Sequence, residues 1–80
     1  MKARKRPIDV RVWRFQKNEP IPVWVIRNAH DLGDGNLSIM TREGALKAYP
    51  GDWIIEGVQG EIYPCANDIF HTTYEIVGDA

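Results

Sequence analysis

The side chains best suited to chemistry are few and scattered: Cys65, His30, His71 and the carboxylate of Asp68. Zinc takes three or four protein ligands at recurring spacings. Here Cys65 stands alone, His30 falls in the loop-like run NAHDLGDGN, and His71 lies in a short C-terminal helix that must pack Phe70. A Cys65–His71 pair acting as nucleophile and base lacks a third group to orient it and a domain thick enough to exclude water. A lone cysteine reads more simply as a small apolar residue, and it cannot form an internal disulfide. Gly33 and Gly35 lack the strand before and helix after that a phosphate-cradling glycine loop needs. The expectation is therefore no enzyme, no metal and no cofactor.

Aromatic and basic residues carry more. Trp13, Trp24, Trp53, Tyr49, Tyr63 and Tyr74 are a heavy load for 80 residues. Trp53 and Tyr74 can be core, and Trp24 can pack a helix. Alternatively, one or two of them sit at a self-association surface or stack on a planar ligand. Arg11, Trp13 and Arg14 are the candidate ligand-binding residues. A guanidinium can grip a phosphate through two parallel hydrogen bonds, and an indole can stack on a base. The competing explanation is that these arginines only neutralise acidic residues in surface pairs.

The net charge of −1 hides an asymmetry. Residues 1–17 hold seven basic side chains (Lys2, Arg4, Lys5, Arg6, Arg11, Arg14, Lys17) against Asp9 alone, a net +6. The remainder holds three basic and ten acidic residues, a net −7. Such a split can bind anions at one edge, or the arm can pair with the acidic body of the same or a neighbouring copy. Duplex DNA is disfavoured, because the acidic body would oppose a long polyanion.

Eighty residues, 44% hydrophobic and 26% charged, make a single domain spanning 1–80, with residues 1–6 a flexible basic arm. A domain this small buries only about 60% of its unfolded surface. Its core is thin, and a shallow groove or a pocket shared between copies is easier to build than a deep site. Apolar area left by a thin core and short edge strands predicts self-association into a homo-oligomer. The run Ile21–Ile26, broken by Pro22, is far below the roughly 20 residues of a membrane span, and no apolar signal core follows the basic N-terminus. A cytoplasmic setting with no membrane partner is expected.

The elements that must position these residues are short. Pro7 opens a strand in which Ile8, Val10 and Val12 alternate with Asp9 and Arg11. The alternation slips at Trp13 and Phe15; either a bulge near Val12 or Trp13 explains it, or both faces of the strand's end are covered. Pro20 and Pro22 suit the first turn of a short helix, with Asn18 or Glu19 near its cap and Trp24, Val25 and Ala29 facing inward. Asn28–Asn36 is a loop by composition. Residues 37–49 form a hairpin with Leu37, Ile39 and Thr41 on one face. Tyr49-Pro50-Gly51-Asp52 is a turn. Trp53–Val58 and Glu61–Pro64 make another hairpin around Gln59-Gly60. Asn67 caps a one- to two-turn helix with Phe70 and Tyr74 on one face, and Glu75–Val77 is a last edge strand. The fold class is α+β: a small antiparallel β-meander or half-open barrel with one or two short helices.

Residues 50–75 read PGDWIIEGVQGEIYPCANDIFHTTYE. This resembles a family of small phage and prophage proteins that run close to PGDWIIxGVKGEFYPCKPDIFxxTYE after a basic KxRKKPV-like arm, here Lys2 to Ile8. The C-terminal match covers about a third of the chain. The family usually has an acidic residue at the position of Arg11, Trp at that of Phe15, and Lys-Pro at that of Ala66-Asn67. The resemblance implies an accessory phage product in the cytoplasm of a bacterial host cell. Two functions follow. One is a non-enzymatic binding protein that sequesters a host nucleotide immune signal, an anti-defence role. The other is a protein–protein interaction module acting on a host or phage protein through apolar edge strands.

Overall fold

The computed structural model describes residues 1–78. Its elements are β1 (Arg11–Arg14), α1 (Val23–Ile26), β2 (Ala29–Asp31), β3 (Leu37–Thr41), β4 (Gly44–Ala48), β5 (Trp53–Glu56), β6 (Ile62–Cys65) and α2 (Asn67–Thr73). They form two antiparallel three-stranded sheets, β1-β5-β6 and β2-β3-β4. The second is a meander. In the first, β1 joins the β5–β6 hairpin from far away in the chain. Both sheets are open and do not close into a barrel; the fold is small and mostly β with short helices, and the expected meander is found in the second sheet alone.

Strand parity explains how the layers stack. Cross-strand partners share a face. Arg11, Trp13, Ile54, Glu56, Ile62 and Pro64 therefore lie on one face of the first sheet, and Val12, Arg14, Trp53, Ile55, Tyr63 and Cys65 on the other. The first face packs against the second sheet and α1: Ile54 and Ile62 join Phe15, Val25, Ala29, Leu37, Ile39 and Ala48 in one buried cluster. The second face is covered by α2, where the Phe70 ring stacks on Trp53 at 4.0 Å, and Tyr74 stacks on Phe70 at 5.2 Å. Sheet, sheet and helix thus make three thin layers.

Several expected boundaries move. The first strand begins at Arg11 instead of Pro7, because β5 ends at Glu56 opposite Arg11 and the chain then turns through Gly57–Gly60. Residues 7–10 have no strand left to pair with. No bulge interrupts Val12 or Trp13, whose register with Ile55 and Ile54 is continuous. Both faces of the strand's end are covered instead. The irregularity lies on the partner: the Phe15 N–H donates to Asp52 O at 2.9 Å, while its carbonyl accepts from Gly51 N–H at 2.7 Å. Two residues oppose one, and Gly51 adopts φ +100°, which a residue with a Cβ resists.

Helix α1 forms where the prolines place it, but its cap is Pro22 itself; Asn18 sits further back in a turn at φ +65°. The expected loop at 28–36 contains β2, whose Ala29 is buried opposite Ile39. Ala66, not Asn67, is the cap of α2. The Asn67 side chain is engaged elsewhere, accepting from Trp53 Nε1–H at 2.9 Å. Glu75–Val77 forms no strand. Trp53 and Tyr74 are half-buried, so the core reading holds for one side of each ring only.

Phe70 is 1% exposed and holds α2 to the sheet. Phe70→Ala is expected to cost about 3–5 kcal/mol and Phe70→Leu less than about 1.5 kcal/mol in denaturant unfolding.

Candidate interaction surface

Arg11, Trp13 and Arg14 all come from β1, but alternation divides them. Arg11 and Trp13 share the face toward the second sheet; Arg14 is on the opposite face. Each arginine finds a different tryptophan. The Arg11 guanidinium lies 5.4 Å from the Trp24 ring centroid, and its Nε is 3.6 Å from Glu56, its neighbour across the sheet. Arg14 lies 6.0 Å from the Trp53 centroid and donates from Nε to the Gly51 carbonyl at 3.4 Å. Trp13 packs against the main core and tilts toward Phe15 at 5.8 Å. The structure therefore brings Arg11 together with Trp24, and Arg14 with Trp53, on the two sides of one strand. A guanidinium lying over an indole keeps its N–H edge free for an anion.

The remaining titratable candidates are structural in their contacts. The carboxylates of the DLGDGN run are engaged by their own turn: Asp31 accepts from Gly33 N–H at 2.8 Å and Asp34 from Asn36 N–H at 3.0 Å. That Asn36 N–H, with the Lys47 ammonium at 3.3 Å, holds the Asp34 carboxyl below the usual carboxylate range. Burial, and then the charges of Asp52 and Asp68, push the Cys65 thiol up, the opposite of what an activated nucleophile requires. The His71 ring meets Phe70 and Trp53 edge-on at 5.4 and 5.9 Å. Among the described residues, no three His, Cys, Asp or Glu side chains gather as a metal site would.

The main concave surface lies elsewhere, where the N-terminal arm passes the end of α2. One groove of about 330 Å³ runs between residues 7–10, Val12 and residues 73–78. An adjoining groove of about 570 Å³ is bordered by Lys5, Arg6, Ile8, Val58, Tyr63 and Tyr74. Ile8 (57% exposed), Val58 (69%), Ile76 (53%) and Val77 (71%) leave most of their apolar surface in water along these walls. Sequence reasoning missed this surface because it joins two chain ends that form no regular element. The available signal was the apolar pair Ile76-Val77 just beyond the helix.

The arm itself is exposed and irregular. The ion pairs among the described residues are Arg11–Glu56, Arg42–Glu61 and Lys47–Asp34. Lys2, Arg4, Lys5, Arg6 and Arg14 take part in none of them, and of these Lys5 and Arg6 border the larger groove.

At the floor of the larger groove the Tyr63 and Tyr74 hydroxyls meet at 3.1 Å. Burial, followed by this hydrogen bond, pushes the Tyr63 phenol well above its ordinary value. A phenol raised in the folded state gives stability that is complete below the unfolded value of about 10 and is lost as pH rises past it. Wild type should lose stability above about pH 10 more steeply than Tyr63→Phe when unfolding is followed across pH.

No family model, curated protein or solved structure matches the chain.

Proposed function

We propose that this chain is a small non-enzymatic binding protein, and that it docks on another protein through the surface shared by its arm and its C-terminal tail. The observation that carries this reading is the exposed apolar strip of Ile8, Val58, Ile76 and Val77 around two adjoining grooves. A contiguous apolar strip rimmed by charged residues is the usual composition of a protein-binding surface. The resemblance of residues 50–75 to phage and prophage proteins supports a host or phage protein as the partner and the bacterial cytoplasm as the setting.

A second reading is favoured by the two arginine–tryptophan pairs. Arg14 over Trp53 and Arg11 over Trp24 offer anion-gripping edges beside indole rings. They suit a nucleotide, such as a host immune signal, held where two copies meet. Because the pairs face opposite sides of β1, each copy contributes one of them to a given ligand.

Native mass spectrometry separates the two. The protein is mixed with the macromolecular or the small-molecule fraction of a bacterial extract. The protein-binding reading expects a mass gain of several kilodaltons from the first fraction only, abolished by Ile76→Asp with Val77→Asp. A gain of a few hundred daltons from the second fraction, abolished by Arg11→Ala with Arg14→Ala, overturns it in favour of the nucleotide.

A further inference from the structure

Each sheet has two outer strands, β1 and β6 in the first, β2 and β4 in the second. Three of these edges suit a second copy of the chain poorly. β1 belongs to the segment of net +6, and like charges oppose its pairing with itself. In β6, the Gly57 N–H donates to Glu61 O at 2.8 Å, so Glu61 faces β5. Main-chain direction alternates along an antiparallel strand. Ile62 and Pro64 therefore face outward, and Pro64 has no N–H to donate. β2 is three residues long.

β4 differs. The Met40 N–H donates to Asn28 O at 2.8 Å, on the β2 side. By the same alternation Leu37, Ile39 and Thr41 face β4, and their partners Ala48, Leu46 and Gly44 face back. Ala45 and Lys47 turn their N–H and C=O groups to the open side. These four groups have no main-chain partner among the described residues, and residues 44–47 are all exposed.

One register lets this strand pair with its own copy. Centred on Leu46, an antiparallel pair sets Ala45 opposite the partner's Lys47 and Lys47 opposite the partner's Ala45, so the four open groups meet the same four groups. Centring on Lys47 would put two ammoniums opposite each other. Centring on Ala45 would need the Glu43 N–H, which already donates to Thr41 Oγ1 at 3.2 Å. In the Leu46 register no like charges lie opposite. Lys47 is held by Asp34 at 3.3 Å and Arg42 by Glu61 at 4.0 Å, and the two Glu43 side chains fall at opposite ends of the pair. With those charges answered inside the chain, the edge carries nothing that calls for a strongly acidic or basic partner. Its apolar surface also matches itself. Leu46 shares the inner face with Ile39, is 42% exposed, and borders a groove of about 380 Å³ with Ile62, Tyr63 and Pro64. The partner's Leu46 lies directly across from it. Self-complementary main-chain groups and a self-complementary apolar side chain are what a twofold contact requires.

We infer that two copies of the chain join by antiparallel pairing of β4 with β4, centred on Leu46, which extends the second sheet from three strands to six. β4 borders neither groove at the chain's ends, so the inference does not depend on the protein-binding reading.

Sedimentation and amide hydrogen exchange by NMR, each followed across protein concentration on the intact chain, test this. A species of twice the chain mass should grow with concentration. Exchange at Ala45 and Lys47 should slow by at least about tenfold as it does, without a matching change at Leu46, already bonded to β3. Leu46→Lys and Leu46→Glu each set like charges across the pair, so each alone should stay monomeric. An equimolar mixture of the two should restore the dimer, because opposite charges then meet. A chain that is monomeric at every concentration overturns the inference. So does a dimer protected at Val12 and Arg14, or elsewhere, instead of at Ala45 and Lys47. A dimer kept by either variant alone, or folded variants that do not pair when mixed, overturns the Leu46 register and the inference with it. The wild-type exchange measurement decides the matter even where a variant fails to fold.

Discussion

Ile54 and Ile55 are neighbours in sequence, and neither has exposed surface. In a strand, consecutive side chains point to opposite faces. A single strand with both faces dry needs a layer on each side, and 80 residues must supply both. The second sheet and α1 cover Ile54; α2, through Phe70, covers the face of Ile55. Most of the remaining structure serves that requirement. The β2-β3-β4 meander supplies Ala29, Leu37, Ile39 and Ala48 to one side, and the bond from Trp53 to Asn67 steadies the helix on the other.

With so much chain used on a two-sided strand, little is left to protect edges or enclose a cavity. β1 remains open along one side. Residues 7–10 and 74–78 form no strand, and the grooves beside them are lined by apolar and charged side chains together. The same thinness explains the arginine–tryptophan pairs. Trp24 and Trp53 are too large to be enclosed by layers this shallow, and a guanidinium covers part of each ring at the surface. In such a molecule the edges and grooves are where main-chain groups and apolar side chains stay half-exposed.

Much of this was legible in the sequence wherever the signal was local. Leu37, Ile39 and Thr41 alternate, Pro50-Gly51 fixes a turn, and the prolines at 20 and 22 place a helical turn, so the hairpin, the turn and α1 appear where expected. Readings failed where the cause was distant. The length of β1 is set by where β5 runs out, which no property of Ile8 or Val10 reveals. β2 hides in a turn-rich run because three residues paired to β3 need only one buried alanine. Asn67 looks like a cap, yet its amide is claimed by an indole 14 residues earlier. Arg11 and Arg14 look like one cluster along the chain, and strand parity separates them. The groove of Ile8, Ile76 and Val77 joins the two chain ends and could not be read from either alone.

The account stands on β5 being dry on both faces, and paired isoleucine truncations test this most directly. Ile54→Val and Ile55→Val each remove one methylene without changing strand propensity much. Both should cost about 0.5–1.5 kcal/mol in denaturant unfolding at unchanged slope, as buried methylenes do. If one costs that much while the other is neutral, β5 is an ordinary half-buried strand, and the three-layer arrangement is wrong.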